Sequence, residues 1–343
     1  MNAKIITDFE ALDQLIQALS PSSITVLVDS NTHEYCLPAL QMQCSSLLDI
    51  EILEVPPGEE SKDMEIVFPL WQSLAELQVD RKGLLVNLGG GMVTDLGGFV
   101  ASTFKRGMRF IHIPTSLLGM VDAAYGGKTG INLGELKNQV GTFRAPEAIF
   151  LSPAWLESLP QRELVAGYAE MLKHALIADP TQLAQMMQLD EINAESTAPF
   201  VQASLAIKKD VVEQDPFEQG LRKALNFGHT YGHALESLSF QRNEPLLHGE
   251  AIAVGIKLAL QLSVDKTGFD SALAKKVNDH IDQHFKVNGT TKAKAAWHLM
   301  QNDKKNEDGE VRFVLLKAVG EPLLNQVVHA DEFYSALAKI AQS

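Results

Sequence analysis

The stretch LGGGMVTDLGGFVAS, residues 88–102, decides the fold predicted for this chain. It closes the apolar run LLVNLGGG (Leu84 to Gly91) and opens a helical pattern that we expect to begin near Val93 or Thr94. Three consecutive glycines let the backbone approach a ligand, and the free N–H groups and dipole of the following helix favour a pyrophosphate there. The pattern is neither a GxGxxG fingerprint nor a Walker loop. A plain turn whose glycines serve only steric needs is the alternative.

Apolar runs rich in branched side chains recur on both sides of this turn and alternate with helical patterns. This alternation predicts an α/β domain over residues 1–152, with a doubly wound, mainly parallel, Rossmann-like sheet. Many proteins bind nucleotides on such a sheet, although the fold alone assigns no function. Besides LLVNLGGG, the predicted strands are Ile24 to Asp29, Glu51 to Val55, Phe110 to Ser116 and Ala148 to Leu151, and the predicted helices include Asp63 to Gln78 and Thr94 to Phe104.

Residues 153–343 have a different pattern, in which helical periodicity dominates as far as about Gly289. We expect a mainly α-helical domain of seven to nine helices, with one short strand in VRFVLLK (Val311 to Lys317). Four prolines mark the expected breaks between helices: Pro160, Pro180, Pro199 and Pro216.

Composition and charge restrict the class of protein. A chain of 343 residues is long for one core, and 45% hydrophobic with 21% charged residues is ordinary for a globular protein. The formal net charge of -14 argues against the basic face that nucleic acid requires. No apolar run reaches the ~18–20 residues of a membrane span, and the first residues lack a signal-peptide pattern. We therefore expect a cytoplasmic protein without a nucleic-acid or membrane partner.

Two cysteines, Cys36 and Cys44, fall near a helical stretch. Because no secretion signal is evident, a disulfide is not expected, and neither is a metal site built on thiolates. We interpret both side chains as packing residues.

Histidines suggest a metal site in the second half of the chain. The segment KALNFGHTYGH (Lys223 to His233) sets His229 and His233 four residues apart in a helical pattern, which puts both imidazoles on one face. His248 in LLHGEAIAVGI and Glu170 in AGYAEMLKHAL add two further candidate ligands in apolar helical contexts. The arrangement favours an open, catalytic zinc-type site, and a surface or core histidine pair is the alternative.

Residues 106–141 combine glycines with cations and amides. Such groups suit phosphate and carboxylate ligands, although a charged loop is often only solvated. The groups in this segment are Thr115, Ser116, Asp122, Gly126, Gly127, Lys128, Lys137 and Asn138, and Lys208, Arg222, Asn226, Lys304 and Lys305 could contribute to the same anionic pocket.

The order of these motifs closely resembles the 3-dehydroquinate synthase family. The resemblance covers about Glu59 to Lys305 and rests on GGGxxxD, RGxRFIxIPTxLLxxVDxxxGGKTxINxxxxKNxxG, LPxRELxxGxAExxKH, DPxExGxRKALNxGHTxGHAxE and LLHGExxAxG. It implies conversion of 3-deoxy-D-arabino-heptulosonate 7-phosphate to 3-dehydroquinate and phosphate. The implied sequence is transient oxidation by NAD, phosphate elimination, reduction and intramolecular aldol closure. It also implies a zinc or cobalt ion and a homodimer.

The resemblance further implies which residues act. Glu170, His229 and His248 match the metal ligands, whereas His233 matches a histidine of the proton-transfer network near the substrate. Residues matching substrate contacts are Arg106, Asp122, Lys128, Asn138, Lys173, Lys208, Arg222, Asn226 and Lys304, the last uncertain by one residue against Lys305. Residues matching NAD contacts are Asp29, Glu59, Lys62, Gly90, Gly91, Asp95, Thr115 and Ser116, with Lys128 and Lys137 in support and weaker matches at Trp155, Ser158, Leu159 and Glu163.

Three other functions compete with this interpretation. Another sugar phosphate cyclase would keep NAD and metal but alter residues that face the substrate carboxylate. An NAD- and metal-dependent polyol dehydrogenase would not need Lys128, Asn138 or Arg222 and would release NADH stoichiometrically. A non-catalytic nucleotide-binding scaffold would not need the metal-ligand pattern.

Overall fold

The alternating apolar runs of the first part of the chain form a parallel sheet in the computed structural model, which describes residues 3–134, 136–240, 245–286, 293–301 and 310–342. The chain divides into two units, Met1–Pro160 and Gln161–Ser343. The elements of the first unit are β1 (Lys4–Ile6), α1 (Phe9–Leu19), β2 (Ile24–Asp29), α2 (Ser30–Tyr35), α3 (Leu37–Gln43), β3 (Glu51–Val55), α4 (Met64–Glu76), β4 (Leu84–Gly89), α5 (Gly91–Thr103), β5 (Arg109–Pro114), β6 (Lys128–Leu133), β7 (Leu136–Phe143) and β8 (Ala148–Phe150).

Six of these strands form one sheet in the order β1-β8-β5-β4-β2-β3, and every pairing is parallel. The predicted doubly wound α/β fold is thereby confirmed, and the strands at 24–29 and 51–55 have the predicted bounds. β6 and β7 form a separate antiparallel hairpin, which the sequence analysis missed together with β1.

Helix α5 packs very closely on the sheet. A Cβ added to Gly97 would lie 1.9 Å from Oδ1 of Asn87 on β4, and one added to Gly98 would lie 2.4 Å from Cγ2 of Thr129 on β6. Asn87 is buried and donates from Nδ2 to Nδ1 of His112, its partner on β5, over 3.2 Å. The glycines therefore let the helix approach a polar pair inside the core.

The start of α5 differs from the prediction. The helix begins at Gly91, two to three residues before the predicted start at Val93 or Thr94. Glycine has low helix propensity, so Gly91 gave no sequence signal as the first helical residue.

The second unit is mainly helical, which confirms the prediction for this part of the chain. Its described residues form eight α-helices, within the predicted seven to nine, and one antiparallel hairpin. The elements are α6 (Gln161–Ala178), α7 (Pro180–Met186), α8 (Ala194–Gln214), α9 (His229–Ser239), α10 (His248–Thr267), α11 (Ser271–His284), α12 (Ala293–Gln301), β9 (Arg312–Ala318), β10 (Glu321–Val327) and α13 (Ala330–Gln342).

Two details of the second unit correct the sequence analysis. Pro199 does not mark a break but lies inside α8, in the second turn, where its missing N–H removes one bond near the helix start. The predicted strand at 311–317 is β9, but its partner β10 was missed because that strand is only partly buried and does not alternate clearly.

Helix α10 lies at the centre of this unit and is apolar on most sides, with buried residues from Gly249 to Ser263. None of the helices in the described ranges is both long and apolar enough to cross a bilayer. Cys36 and Cys44, in the first unit, are free and buried, as expected for packing residues.

Candidate active site

Several predicted cofactor positions lie together in the first unit, where neighbouring parallel strands end. Asp29 closes β2, Gly90 follows β4 and Thr115 follows β5, and β4 pairs with both other strands. The N–H of Thr115 donates to the carbonyl oxygen of Gly89 over 3.0 Å. From β2 the chain runs outward to β3 and then returns past β2 to β4, so the winding direction changes between β2 and β4. Open parallel sheets bind ligands in the crevice at such a point.

Gly90 and Gly91 form the tight turn from β4 into α5. Gly90 is extended (φ −69°, ψ −169°) and Gly91 is the first helical residue. A Cβ added to Gly90 would lie 3.1 Å from Ser116 Oγ, and one added to Gly91 would lie 3.0 Å from Cβ of Ala123. Because Gly90 and Gly91 have no side chains, an anion can approach the first backbone N–H groups of α5.

Asp29 already has a role within the fold. Its Oδ1 accepts the backbone N–H of Thr32 over 2.8 Å, which makes Asp29 the N-cap of α2. Thr32 Oγ1 donates to the carbonyl oxygen of Leu88 over 3.0 Å. These hydrogen bonds hold the carboxylate of Asp29 beside the end of β4. The same carboxylate would make the predicted contact to the ribose.

Lys62 connects two predicted cofactor residues, Glu59 and Asp95, to Asn138. The ammonium is buried, with Nζ 2.8 Å from Asp95 Oδ2, 2.6 Å from Asn138 Oδ1 and 3.5 Å from Glu59 Oε1. Burial alone would lower the pKa of Lys62, but the carboxylates of Asp95 and Glu59 raise it above its ordinary value. A charged ammonium therefore holds two carboxylates and an amide in one network.

Asn132 completes this network, and the sequence analysis did not single it out. Its Nδ2 donates to Glu59 Oε1 over 3.1 Å, and its Oδ1 accepts the N–H of Asn138 over 2.9 Å. Asn138 has the left-handed backbone conformation (φ 53°) that brings its side chain to Lys62. The only sequence signal for Asn132 was its place in GGKTGIN.

Arg106 lies elsewhere in the first unit. It follows α5 and precedes β5, at the edge of the sheet formed by the amino ends of the strands, whereas Gly90 lies at the opposite edge. Arg106 is exposed in a surface depression of about 750 Å³, which is also lined by Asp80, Arg81, Lys82, Thr103 and Lys105. Within this unit, Arg106 is not brought together with the glycine turn.

The remaining predicted residues of the first unit have varied surroundings. Trp155 is buried, with its ring edge-on to Phe9 at 6.1 Å between centroids, and Ser158 Oγ donates to the carbonyl oxygen of Trp155 over 3.2 Å. Both contacts suit packing. Leu159 follows the same short turn, Asp122 lies in a π-helical turn after β5, Lys128 begins β6 and Lys137 lies on β7.

Glu170 is the centre of a second cluster, in the second unit. It is fully buried on α6, and its Oε1 lies 3.5 Å from Nε2 of His229 and 3.4 Å from Nε2 of His248. These distances exceed those of normal hydrogen bonds, and Oε1 has no hydrogen-bond partner among the described residues. Two donors that are each about 2.1 Å from one tetrahedral ion lie about 3.4 Å apart. The three predicted ligands therefore fit one divalent cation.

The other ring nitrogens of both histidines face hydrogen-bond acceptors. His229 Nδ1 lies 3.1 Å from the carbonyl oxygen of Phe227, and His248 Nδ1 lies 3.2 Å from Oε2 of Glu236. An N–H on each Nδ1 leaves the lone pair of each Nε2 directed toward Glu170. Glu236 is a second residue that the sequence analysis did not single out, although it stands in GHTYGHALE.

Charge in this cluster favours an ionised carboxylate. Burial would raise the pKa of Glu170, but the ammonium of Lys173, in ion-pair contact with Oε2, and the two imidazoles hold it well below its usual range. Burial, with the Lys173 charge, holds the pKa of His229 well below its usual range. For His248, burial is outweighed by the nearby carboxylates of Glu170 and Glu236, which raise its pKa to about 10 in the absence of metal.

His233 shares a helix face with His229, as its spacing predicts. Their ring centroids are 5.0 Å apart, and one nitrogen from each of His229, His233 and His248 lies within 4.8 Å of the others. His233 is therefore near enough to act on a group held at the cation.

Four predicted substrate contacts lie on elements of the same unit. Lys173 is buried on α6 and contacts Glu170, and Lys208 is buried on α8. Arg222 is buried and donates from Nη1 to the carbonyl oxygen of Pro216 over 2.7 Å. Asn226 donates to Glu218 Oε1 over 2.7 Å. Lys304 and Lys305 lie outside the described residues.

Comparison with known families and proteins agrees with this geometry. A family profile described as 3-dehydroquinate synthase N-terminal matches residues 52–166, and one described as 3-dehydroquinate synthase C-terminal matches residues 167–306. The chain is 42% identical over 330 residues to the 3-dehydroquinate synthase of Parabacteroides distasonis. The aligned residues cover 95% of this chain and 93% of the relative.

Two solved structures share the fold over nearly the whole chain. One is 2-deoxy-scyllo-inosose synthase complexed with carbaglucose-6-phosphate, NAD+ and Co2+, with a TM-score of 0.85, 23% identity, and coverage of 99% of this chain and 96% of that one. The other is 2-epi-5-epi-valiolone synthase from Streptomyces hygroscopicus with NAD+ and Zn2+ bound, with a TM-score of 0.83, 25% identity, and coverage of 100% and 97%.

Proposed function

The chain belongs to the 3-dehydroquinate synthase family, and on this basis we infer that it converts 3-deoxy-D-arabino-heptulosonate 7-phosphate to 3-dehydroquinate and phosphate. This reaction belongs to the shikimate pathway. The observation that carries the metal-dependent reaction is the position of Glu170 Oε1, which lies 3.5 Å from Nε2 of His229 and 3.4 Å from Nε2 of His248. The enzyme uses NAD and a divalent metal ion.

Glu170, His229 and His248 are the residues we assign to the metal, zinc or cobalt, within residues 153–343. When bound, the cation supplies Lewis-acid polarisation of the alcohol that is oxidised, and NAD accepts and returns a hydride. The carboxylate of Glu170 supplies negative charge, while the two neutral imidazoles supply lone pairs. We assign His233 to proton transfer at the substrate, because its ring lies beside those of His229 and His248.

NAD we assign to residues 1–152, at the ends of β2, β4 and β5. We assign the pyrophosphate to the start of α5, where Gly90 and Gly91 carry no side chains, and the ribose diol to Asp29. We assign Glu59, Lys62 and Asp95 to the same site, since the buried ammonium of Lys62 joins both carboxylates and Asp95 lies on α5, the helix that begins at Gly91.

The substrate is an anionic sugar phosphate, and its charge calls for buried cations. Lys208 and Arg222 are both buried on the second unit, which strengthens their interaction with an anion by excluding water. We assign Asn226, Lys173 and Lys304 to the same group. In the first unit we assign substrate contacts to Asp122, Lys128 and Asn138, but not to Arg106, which lies at the edge of the sheet opposite Gly90.

The alternative functions are not favoured. The relatives named 3-dehydroquinate synthase are 36–42% identical to this chain, including that of Leptospira interrogans at 36%, whereas the two other cyclases above are 23–25% identical. A polyol dehydrogenase has no need for the buried Lys208 and Arg222.

We also propose a homodimer in the cytoplasm, as the family resemblance implies. Size-exclusion chromatography with light scattering measures the mass directly, and a monomer at micromolar concentration would refute the dimer.

Metal dependence of phosphate release tests the proposed reaction. Purified protein with NAD and zinc should release phosphate from the heptulosonate phosphate and yield 3-dehydroquinate. A chelator should abolish release, and added zinc or cobalt should restore it. Release that persists in metal-stripped protein would contradict the assignment of the Glu170 cluster.

A further inference from the structure

Glu236 lies behind the candidate metal ligands and is not one of them. It is buried on α9, and its Oε2 lies 3.2 Å from Nδ1 of His248, whose Nε2 faces Glu170. The contact joins α9 to the first residue of α10. A histidine that binds a metal through one nitrogen commonly donates its other N–H to a carboxylate, which fixes the ring and raises its basicity.

The two candidate imidazole ligands differ in this respect. His229 donates to a neutral carbonyl oxygen, that of Phe227, whereas His248 faces the carboxylate of Glu236. His248 is also the more exposed of the two, with 27% of its side chain accessible against 10% for His229. The more exposed imidazole, that of His248, therefore has the charged hydrogen-bond partner.

The backbone around His248 is held by other residues. Arg162 on α6 donates from Nε and Nη2 to both carboxylate oxygens of Glu250, over 2.7 and 2.8 Å. Glu250 Oε2 also accepts the N–H of Leu247 over 2.8 Å. A Cβ added to Gly249 would lie 1.8 Å from the carbonyl oxygen of Ala166, so α10 begins in close contact with α6. Loss of Glu236 should thus free the ring of His248 but leave its backbone in place.

We propose that Glu236 is a positioning residue that orients His248 and sets the affinity of the Glu170 cluster for its divalent cation. The inference rests on the proposed function for the existence of the metal site, and adds to it the residue that determines how tightly the metal is held.

Zinc affinity of metal-stripped variants tests this role without any turnover. Glu236→Ala removes the acceptor and the charge, whereas Glu236→Gln keeps an acceptor oxygen and loses the charge. Competition with a chromogenic chelator at several pH values separates zinc binding from loss of the His248 proton. Referred to the unprotonated imidazole, the zinc Kd should be about 10–100-fold weaker for Glu236→Ala, with an intermediate value for Glu236→Gln. The visible spectrum of the cobalt-loaded protein should shift in Glu236→Ala, because the ring of His248 is no longer fixed.

Asp282→Asn is the matched control. Asp282 forms an ion pair with the largely buried Lys257 of α10 but does not contact His248, so its loss should lower Tm while leaving the zinc Kd unchanged. A wild-type zinc Kd in Glu236→Ala would overturn the inference, as would equal changes in Kd in Glu236→Ala and Asp282→Asn. If Glu236→Ala does not fold, Glu236→Gln decides by the same criterion. Failure of the wild type to bind zinc would instead refute the metal site of the proposed function, and this inference with it.

Discussion

Lys62 is buried and forms an ion pair with the partly exposed Asp95 in the first unit, with 2.8 Å between Nζ and Oδ2. The pair joins a short turn before α4 to the second turn of α5, and α5 begins at the glycine turn. A substitution that breaks this pair should therefore perturb the start of α5, where we expect the pyrophosphate of NAD to bind.

Lys62→Met should destabilise the fold and weaken NAD binding. It leaves the partly exposed carboxylates of Glu59 and Asp95 without their shared cation, and loss of a hydrogen bond between charged groups costs about 1.5–3 kcal/mol. Denaturant unfolding should show this loss, and calorimetric titration should show a weaker Kd for NAD. Lys275→Met is the control, because Lys275 is exposed and its pair with Asp279 contributes well below about 1 kcal/mol. Equal effects in both variants would contradict the role of Lys62.

Gly97→Ala should move α5 away from the sheet. Its new Cβ would lie 1.9 Å from Asn87 Oδ1, and such overpacking costs about 1–3 kcal/mol. The KM for NAD should rise, since the glycine turn moves with the helix. Asn87→Ala should partly restore both stability and KM when combined with Gly97→Ala, giving a coupling of about 1 kcal/mol or more in a double-mutant cycle. Strict additivity would show that the two residues do not share this contact.

Substitutions of His248 and His233 should have different effects on metal retention and turnover. His248→Ala removes a ligand and should abolish both metal retention and turnover, whereas His233→Ala should slow turnover with the metal still bound. Elemental analysis after dialysis measures retention, and phosphate release measures turnover. Equal metal loss in both variants would show that His233 is a ligand.

Zinc binding should release about one proton near pH 7.5. Without metal, the pKa of His248 is about 10, so its imidazole carries a proton that a metal must displace. Glu170 and His229 need no such change, because their pKa values lie well below their usual ranges. Calorimetry in two buffers of different ionisation enthalpy measures the release, and the zinc affinity should rise about tenfold per pH unit. No proton release would contradict the protonated state of His248.

Acid should destabilise the fold through two buried histidines. Burial lowers the pKa of His112 to about 3 and that of His280 to about 4, against 6.5 for both in the unfolded chain. The unfolded chain therefore binds more protons as the pH falls from 6.5 toward 4, so stability is complete above that range and declines within it, by up to about 1.4 kcal/mol per pH unit for each histidine. His280→Gln should flatten the dependence of the unfolding free energy on pH. An unchanged slope would show that His280 does not titrate in this way.

The local signals in the sequence determined much of the fold but not its edges. Buried parallel strands such as β2 are continuous apolar runs, so they were readable at 24–29. β7 is almost wholly exposed and carries Lys137, Asn138 and Gln139, so it shows no apolar alternation. β1 has three residues and is defined only by its pairing with β8.

Residues that lie within one motif could be predicted to share a site. Residues that only tertiary contacts bring together could not. The spacing of His229 and His233 predicted their shared helix face, but only the fold brings Glu170 from α6 to 3.5 Å from His229 Nε2. Asn132 and Glu236 act through neighbours that are distant in sequence, so no spacing rule pointed to them.

Simultaneous measurement of phosphate and NADH tests the central claim most directly. With the heptulosonate phosphate, catalytic NAD and zinc, the enzyme should release many equivalents of phosphate per NAD while absorbance at 340 nm shows no net NADH. Accumulation of NADH in proportion to substrate consumed, or the absence of phosphate release by the metal-loaded protein, would contradict the account.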